Sequence, residues 1–379
     1  MKKELLTCCR TDAELEQLRL DEQANDFKAI RRCQSNLVAE KTGFRCTTCG
    51  RLYPILEAHY KGRPIDLKAL SRPLGRRLKL PKAALVFRGD HYYAVCKKSL
   101  LRYDLDPGGN AVLTEEIPIM GQVWYAAVSP SGRYIATETG GGTAAIVDAV
   151  TKETLLKRKG LCAGDTLRFA DEETLLYFRR DEGLFCWRFQ EDREDCLWQP
   201  PQNWLAPDQQ AVTCHGVLET EPGRLVFQLS SCAGDFALVT AEGQAAELVL
   251  LPKMPTLAEM TWHAGRYVLP QADRVLVLDR EFRLVDTIPF PEKITRNDGG
   301  GVFPIDTFTE YPPQRVHLSA DGKWVFFDHG TMLLLLDREA DAVRYAVWSN
   351  NFTSGTKNEI LSDGRIWYNW AASTYIMEI

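Results

Sequence analysis

The stretch from Val123 to Lys159 constrains the fold more than any other: VWYAAVSPSGRYIATETGGGTAAIVDAVTKETLLKRK. Short β-prone runs alternate with turn chemistry. VWYAAV is followed by Ser129-Pro-Ser-Gly132, YIATE by Gly140-Gly-Gly142, and TAAIVDA by a polar turn and ETLLKRK. Four strands joined by three tight turns form an antiparallel meander. A second unit follows the same plan at residues 315–348, RVHLSADGKWVFFDHGTMLLLLDREADAVRYAVW, with Ala320-Asp321-Gly322 as its first turn.

The third strand of each unit ends on an aspartate after an apolar run: LLRYD (Asp104), AAIVD (Asp148), RVLVLD (Asp279) and LLLLD (Asp337). Residues 83–379 number 297. Seven units there take about 42 residues each, the spacing of propeller blades. The cuts fall at 83–118, 119–160, 161–201, 202–254, 255–293, 294–350 and 351–379. This pattern resembles the WD-repeat family of β-propellers over three quarters of the chain. The family's Trp-Asp pair is replaced by Val147-Asp148, Leu278-Asp279 and Leu336-Asp337, and its Gly-His pair is missing. The resemblance implies an all-β, about seven-bladed β-propeller. The last unit, ILSDGRIWYNWAASTYIMEI, supplies three strands. An open seam exposes sheet edges. RRLKL, Arg76 to Leu80, alternates basic and apolar residues at strand period and is the candidate fourth strand.

Ahead of the propeller lies a small front domain, residues 1–60, and a basic linker, 61–82, that holds the seam strand. In FRCTTCGRLYPI, Cys46 and Cys49 have the bite of a metal pair and Gly50 follows them. LLTCCRTDAEL and FRCTTCGRLYPI resemble the two knuckles of the zinc-ribbon family of methyltransferase activators. Leu6-Thr7-Cys8 and Tyr53-Pro54-Ile55 carry the match, while Thr11 stands where the family has its second cysteine. The resemblance implies structural zinc held by Cys8, Cys46 and Cys49, with Cys9, Cys33 or His59 as the fourth ligand. Thr11-Asp12-Ala13-Glu14 is a capping box, so DAELEQLRLDEQANDFKAIRR reads as a helical insert.

Charge divides the same way. Residues 1–82 hold 18 Lys and Arg against 10 Asp and Glu, and the remainder holds 28 against 41. The basic front therefore has an acidic surface to dock on within its own chain. No aromatic residue interleaves with the cations of the linker, which argues against nucleic acid. No run nears the ~18 apolar residues of a helical membrane span. Eleven cysteines, an odd number that includes singles in apolar stretches (Cys96, Cys186, Cys232), fit reduced thiols and a cytoplasmic location.

Catalytic motifs are absent. The six histidines form no H-E-x-x-H or H-x-H, and Ser129, Ser230 and Ser319 lack a nucleophile elbow. The informative features are three enlarged connections between units: 198–210, 294–315 and 349–358. They carry Trp204, Arg296, Asp298, Phe303, Tyr311 and Phe352. Aromatic residues and Arg dominate interface hot spots. These residues are the candidate partner-binding set of a non-catalytic protein-interaction scaffold. The competing readings are a hydrolase- or lactonase-type enzyme working in the central channel, and a nucleic-acid or methyltransferase adaptor acting through the ribbon.

Overall fold

A computed structural model describes residues 37–379 apart from short stretches, the longest being 67–74, 205–211, 252–258, 298–303, 307–314 and 349–358. Of residues 1–36 it describes Ala13, Glu16, Gln17 and Leu20, all helical. The rest of the helical insert lies outside the described residues, as do Cys8, Cys9 and Cys33.

Seven four-stranded antiparallel sheets follow one another along the chain. Blade 1 runs from Ala84 to Pro118, blade 2 from Val123 to Arg158, and blade 3 from Arg168 to Trp198. Blade 4 runs from Val212 to Leu251, blade 5 from Thr261 to Pro289, and blade 6 from Arg315 to Trp348. Blade 7 takes three strands from Glu359 to Met377 and its fourth from Arg76–Leu78. Thr374, Tyr375 and Ile376 pair there with Leu78, Arg77 and Arg76.

The ring can be traced through its cores. Val128, Ile135 and Val147 of blade 2 pack with Tyr93 and Leu100 of blade 1. Trp187 of blade 3 packs with Ile146 of blade 2, and Phe227 of blade 4 with Leu176 of blade 3. Tyr267 of blade 5 meets Val226 and Leu238 of blade 4, and Val268 meets Val316 and Phe327 of blade 6. Tyr375 of blade 7 meets Phe326 and Leu335 of blade 6. Leu78 and Ile376 then close on Tyr92, Ala94 and Tyr103 of blade 1. Every blade thus buries both faces against its neighbours, and no blade is left with an open side.

Turn chemistry repeats with the blades. Ser129 Oγ accepts from Tyr134 N at 3.0 Å, and Ser319 Oγ from Trp324 N at 2.9 Å. Each turn closes through a glycine of positive φ, Gly132 at 79° and Gly322 at 74°. The aspartate after the third strand caps the next turn. Asp148 accepts from Val150 N at 2.8 Å, Asp279 from Arg283 N at 2.9 Å and Asp337 from Ala340 N at 3.0 Å.

One segment departs from the repeat. Residues after 293 do not begin blade 6, whose inner strand starts at Arg315. Lys293–Asn297 and Pro304–Asp306 instead form a hairpin, and the front segment adds Leu56–Tyr60 and Arg63–Pro64 to it. The reason is edge pairing across the chain: Lys293 pairs with His59, Ile294 with Ala58, Thr295 with Glu57 and Arg296 with Leu56. Ile65 then packs on the core between blades 5 and 6. The front domain itself contributes a three-stranded sheet, Leu37–Glu40, Gly43–Cys46 and Leu52–Pro54.

Candidate functional site: the crossing face and channel wall

In a four-stranded meander, the second-to-third turn lies at the same end as the crossing to the next blade. That end of the ring is here the crossing face, and the first strands of the blades line the channel behind it.

Trp124 opens the inner strand of blade 2 on this face. It is 64% exposed, although most large apolar side chains among the described residues are buried. A Cβ on Gly140 would lie 2.9 Å from the indole, so the glycine of the Gly140-Gly-Gly142 turn is what lets the ring settle there. Beside it, burial pushes the Tyr125 hydroxyl up, with Asp165 and Glu138 adding to the effect. Glu138 is buried and accepts from Ala163 N at 3.0 Å and Gly164 N at 2.8 Å. The crossing from blade 2 to blade 3 is thereby tied to blade 2.

Deeper, the inner strands of blades 3 to 6 bring polar groups together. Arg168 begins blade 3, and its Nη1 donates to the Asp165 and Leu167 carbonyls at 2.7 Å each. In blade 4 the register shifts between Cys214 and Gly216, so His215 is the extra residue of a β-bulge. The bulge aims His215 Nε2 at Ser230 Oγ, 2.6 Å away. Burial pushes the Cys214 thiol up to about 12. Glu259, just before blade 5, lies over Gly216. Both its oxygens are held by Arg315 of blade 6, with Nε to Oε2 at 2.8 Å and Nη2 to Oε1 at 2.7 Å. Burial, with Arg315 and His263 adding to it, pushes His317 down to about 3.

The sequence-derived candidates fall in different places. Trp204 is 4% exposed and packs edge-to-face on Trp198 at 6.2 Å, between blades 3 and 4. Its ring belongs to the core and offers no docking surface. Arg296 lies in the hairpin strand paired with the front segment. Asp298, Phe303, Tyr311 and Phe352 lie outside the described residues. Cys46 and Cys49 bracket the turn after Gly43–Cys46, which Gly50 closes with φ of 75° and an N–H to Cys46 O at 2.9 Å. Cys46 is buried and Cys49 exposed. Among the described residues no three His, Cys, Asp or Glu side chains gather as a metal group.

The channel set was missed because its members come from four blades, with no local spacing to betray them. Two weak signals exist: a charged residue at or near the opening of the inner strands of blades 3, 5 and 6 (Arg168, Glu259, Arg315), and the Gly216 that follows His215.

No protein-family model matches the chain, and no curated protein matches its sequence. Solved structures do. The chain is similar to the β-propeller domain of Cps50 (Swd1) from Myceliophteria thermophila, at 10% identity over 81% of this chain and 100% of that one, with a TM-score of 0.55. It is similar to U3-55K at 14% identity, over 82% and 99%, with a TM-score of 0.52. It is also similar to the WD40 repeats of RRP9 at 14% identity, over 85% and 98%, with a TM-score of 0.50. The fold is that of the WD40 β-propellers. No helix among the described residues is long and apolar enough to cross a membrane.

Proposed function

We propose that the protein is a non-catalytic protein-interaction scaffold whose polypeptide partner docks on the crossing face. Trp124 carries this reading: a large aromatic ring, mostly exposed, beside the channel mouth on the face where the crossings converge. Trp is the residue type most enriched among interface hot spots. The hairpin at 293–306 adds a second motive. It already accepts one strand, Leu56–Tyr60, through main-chain pairing, which is how sheet edges recruit extended segments.

Asp298, Phe303, Tyr311 and Phe352, the candidates from the sequence on the long connections, are the further residues proposed for partner binding. Truncating a hot spot costs about 2 kcal/mol or more, some thirtyfold in affinity. Trp124→Ala, and Phe303→Ala with Tyr311→Ala, should weaken capture of the native partner by that order. The melting temperature of Trp124→Ala should hold, because the ring is exposed. Capture unchanged in both variants would place the binding surface elsewhere.

A channel enzyme is the second reading, and the His215–Ser230 contact favours it. The set around that contact is arranged against catalysis. Glu259, the carboxylate nearest to completing a triad, has both oxygens committed to Arg315. Cys214 stays a thiol at neutral pH, since its pKa is pushed up to about 12. Ser230 lies within the extended strand Arg224–Ser231, not on a sharp turn that would present its hydroxyl.

In the front domain, zinc would be held by Cys46, Cys49 and Cys8. The described turn supplies two thiols, half of a tetrahedral set, and zinc there would fix the fold of a small domain rather than perform chemistry. The cytoplasm, where such thiols stay reduced, is the matching compartment.

A further inference from the structure

Trp124 is the extra residue of a β-bulge: Val123 pairs with Thr139 and Tyr125 with Glu138, and the register shifts between them. A bulge re-aims the side chain it carries. The indole aimed here lies flat. A Cβ on Gly140 would stand 2.9, 3.0 and 3.0 Å from Cε2, Cδ2 and Cζ2 of the ring. Nearly equal distances to three contiguous atoms put that point over the face of the ring, since an approach at the edge would favour one atom. One face of the indole therefore rests on the glycine. With the residue 64% exposed, and no described aromatic ring or cation stacked on it, the other face is open to solvent.

The same turn positions a carboxylate. Leu161 N donates to Gly142 O at 3.0 Å, and a Cβ on Gly142 would meet Cys162 Sγ at 2.6 Å. The crossing from blade 2 to blade 3 is thus seated on the turn that carries the indole. Cys162 and Gly164 have φ of 53° and 60° on either side of a right-handed Ala163. Alternating hands turn successive N–H groups into one concavity that takes an anion. Its occupant is the Glu138 carboxylate, through Ala163 N and Gly164 N. This clip fixes the next residue, Asp165. The Asp165 carboxylate is exposed, and no described cation lies within ion-pair distance of it; Arg168 Nη1 takes the Asp165 carbonyl instead. The local field is negative, because Asp165 and Glu138 both add to the effect of burial on the Tyr125 hydroxyl. Lys159 is the one opposing charge of the 159–166 crossing, and residues 83–379 hold 28 Lys and Arg against 41 Asp and Glu.

An open indole face suits a flat group: a nucleobase, a proline ring or a guanidinium. Charge decides among them. A nucleic-acid strand brings phosphates to an acidic propeller, and a proline leaves Asp165 unused. A guanidinium stacks on the ring and gives N–H donors to a carboxylate. We propose that the crossing face captures an arginine side chain of the docked polypeptide, stacked on the open face of Trp124 with Asp165 as its counter-charge. This rests on the scaffold reading and gives the partner its chemistry: a basic, arginine-bearing segment.

Full-length protein labelled with nitrogen-15 at its tryptophans tests it by titration. The signal is the indole N–H of Trp124, assigned by its loss in Trp124→Phe. The probe is a capped Gly-Gly-Arg-Gly-Gly peptide, set against the same peptide with Pro or Glu at the centre and against tetrathymidylate. The arginine peptide should shift the signal saturably. Asp165→Asn should raise its Kd about two- to fivefold, as an exposed ion pair warrants. Glu153→Gln, which removes an exposed acid at the opposite end of the same blade, should leave Kd unchanged. Both are surface changes and should melt as wild type does. The arginine site is overturned if its peptide leaves the signal in place, if the proline peptide binds equally well, or if only the glutamate peptide or tetrathymidylate binds. Equal weakening in Asp165→Asn and Glu153→Gln also overturns it, as unspecific attraction. Lost capture of the native partner in Trp124→Ala, without arginine-peptide binding, leaves the scaffold reading standing and sinks the arginine site alone. Peptide binding with capture unchanged in Trp124→Ala does the reverse.

Discussion

Leu78→Ala tests the closure of the ring. Leu78 is 4% exposed and sits among Tyr92, Ala94, Tyr103 and Ile376, so a single side chain joins the front segment, blade 7 and blade 1. Leu→Ala in a core costs about 2–5 kcal/mol, the spread reflecting how far the site can collapse. Two rigid tyrosine rings border this one, which limits collapse, but the strand lies on the outer edge and can shift. About 3 kcal/mol is the reasoned middle. For a cooperative ring larger than 250 residues, about 2 °C is lost per kcal/mol, extrapolating from smaller domains. The melting temperature should then fall by about 6 °C, read by scanning calorimetry. Arg77→Ala is the control: the same strand and an exposed side chain, with an expected cost within about 0.5 kcal/mol. If Leu78→Ala and Arg77→Ala melt alike, the seam strand contributes no packing to the ring and the closure argument fails.

Acid should destabilise the protein in two stages. His317 titrates in the fold near 3, well below an ordinary histidine, so the unfolded chain takes up its proton first. Its stability contribution is whole above about pH 6.5 and is lost as pH falls toward 3. His215 and His263, also pushed down by burial, steepen the same limb. The N–H groups of Thr151 and Ala340 hold Asp148 and Asp337 below the usual carboxylate range. Their contribution is present above about pH 4 and lost below it. Melting temperature against pH should show both limbs, and His317→Gln should flatten only the upper one. A curve flat down to pH 5 would contradict the burial of a neutral His317. Metal analysis of protein never exposed to chelator should find about one zinc per chain, lost in Cys46→Ser together with the fold of the front domain. Less than about half an equivalent would mean a ribbon without its metal.

The propeller was legible because its information is local. Ser129 and Ser319 close the same turn by the same two hydrogen bonds. Asp148, Asp279 and Asp337 cap the same connection. A repeated unit states its own turn chemistry each time, so divergence in sequence does not hide it. The strand KITRN at Lys293–Asn297 was not legible. Its pairing partner, Leu56–Tyr60, lies more than two hundred residues earlier, and no periodicity in either segment names the other. Trp204 misled for a related reason: an aromatic on a long crossing looks the same in sequence whether it faces solvent or fills the wedge between blades 3 and 4. The channel set was hidden because a ring assembles its inner wall from residues of separate blades, far apart in sequence.

The front segment explains where the charge asymmetry goes. Lys61 pairs with Asp341 at the outer edge of blade 6, and Ile65 seals the core between blades 5 and 6. Arg77 and Leu78 complete blade 7, while the Arg76 guanidinium donates to the carbonyls of Gly108 and Gly109 in blade 1. Two described cations of the linker, Lys61 and Arg76, are therefore spent within the chain, on blades 6 and 1, which removes part of the motive for nucleic-acid binding. The same strap fixes the front domain. Its last strand, Leu52–Pro54, leads after one residue into Leu56–Tyr60, which pairs with the crossing from blade 5 to blade 6. That crossing ends at Arg315, the residue gripping Glu259 on the channel wall.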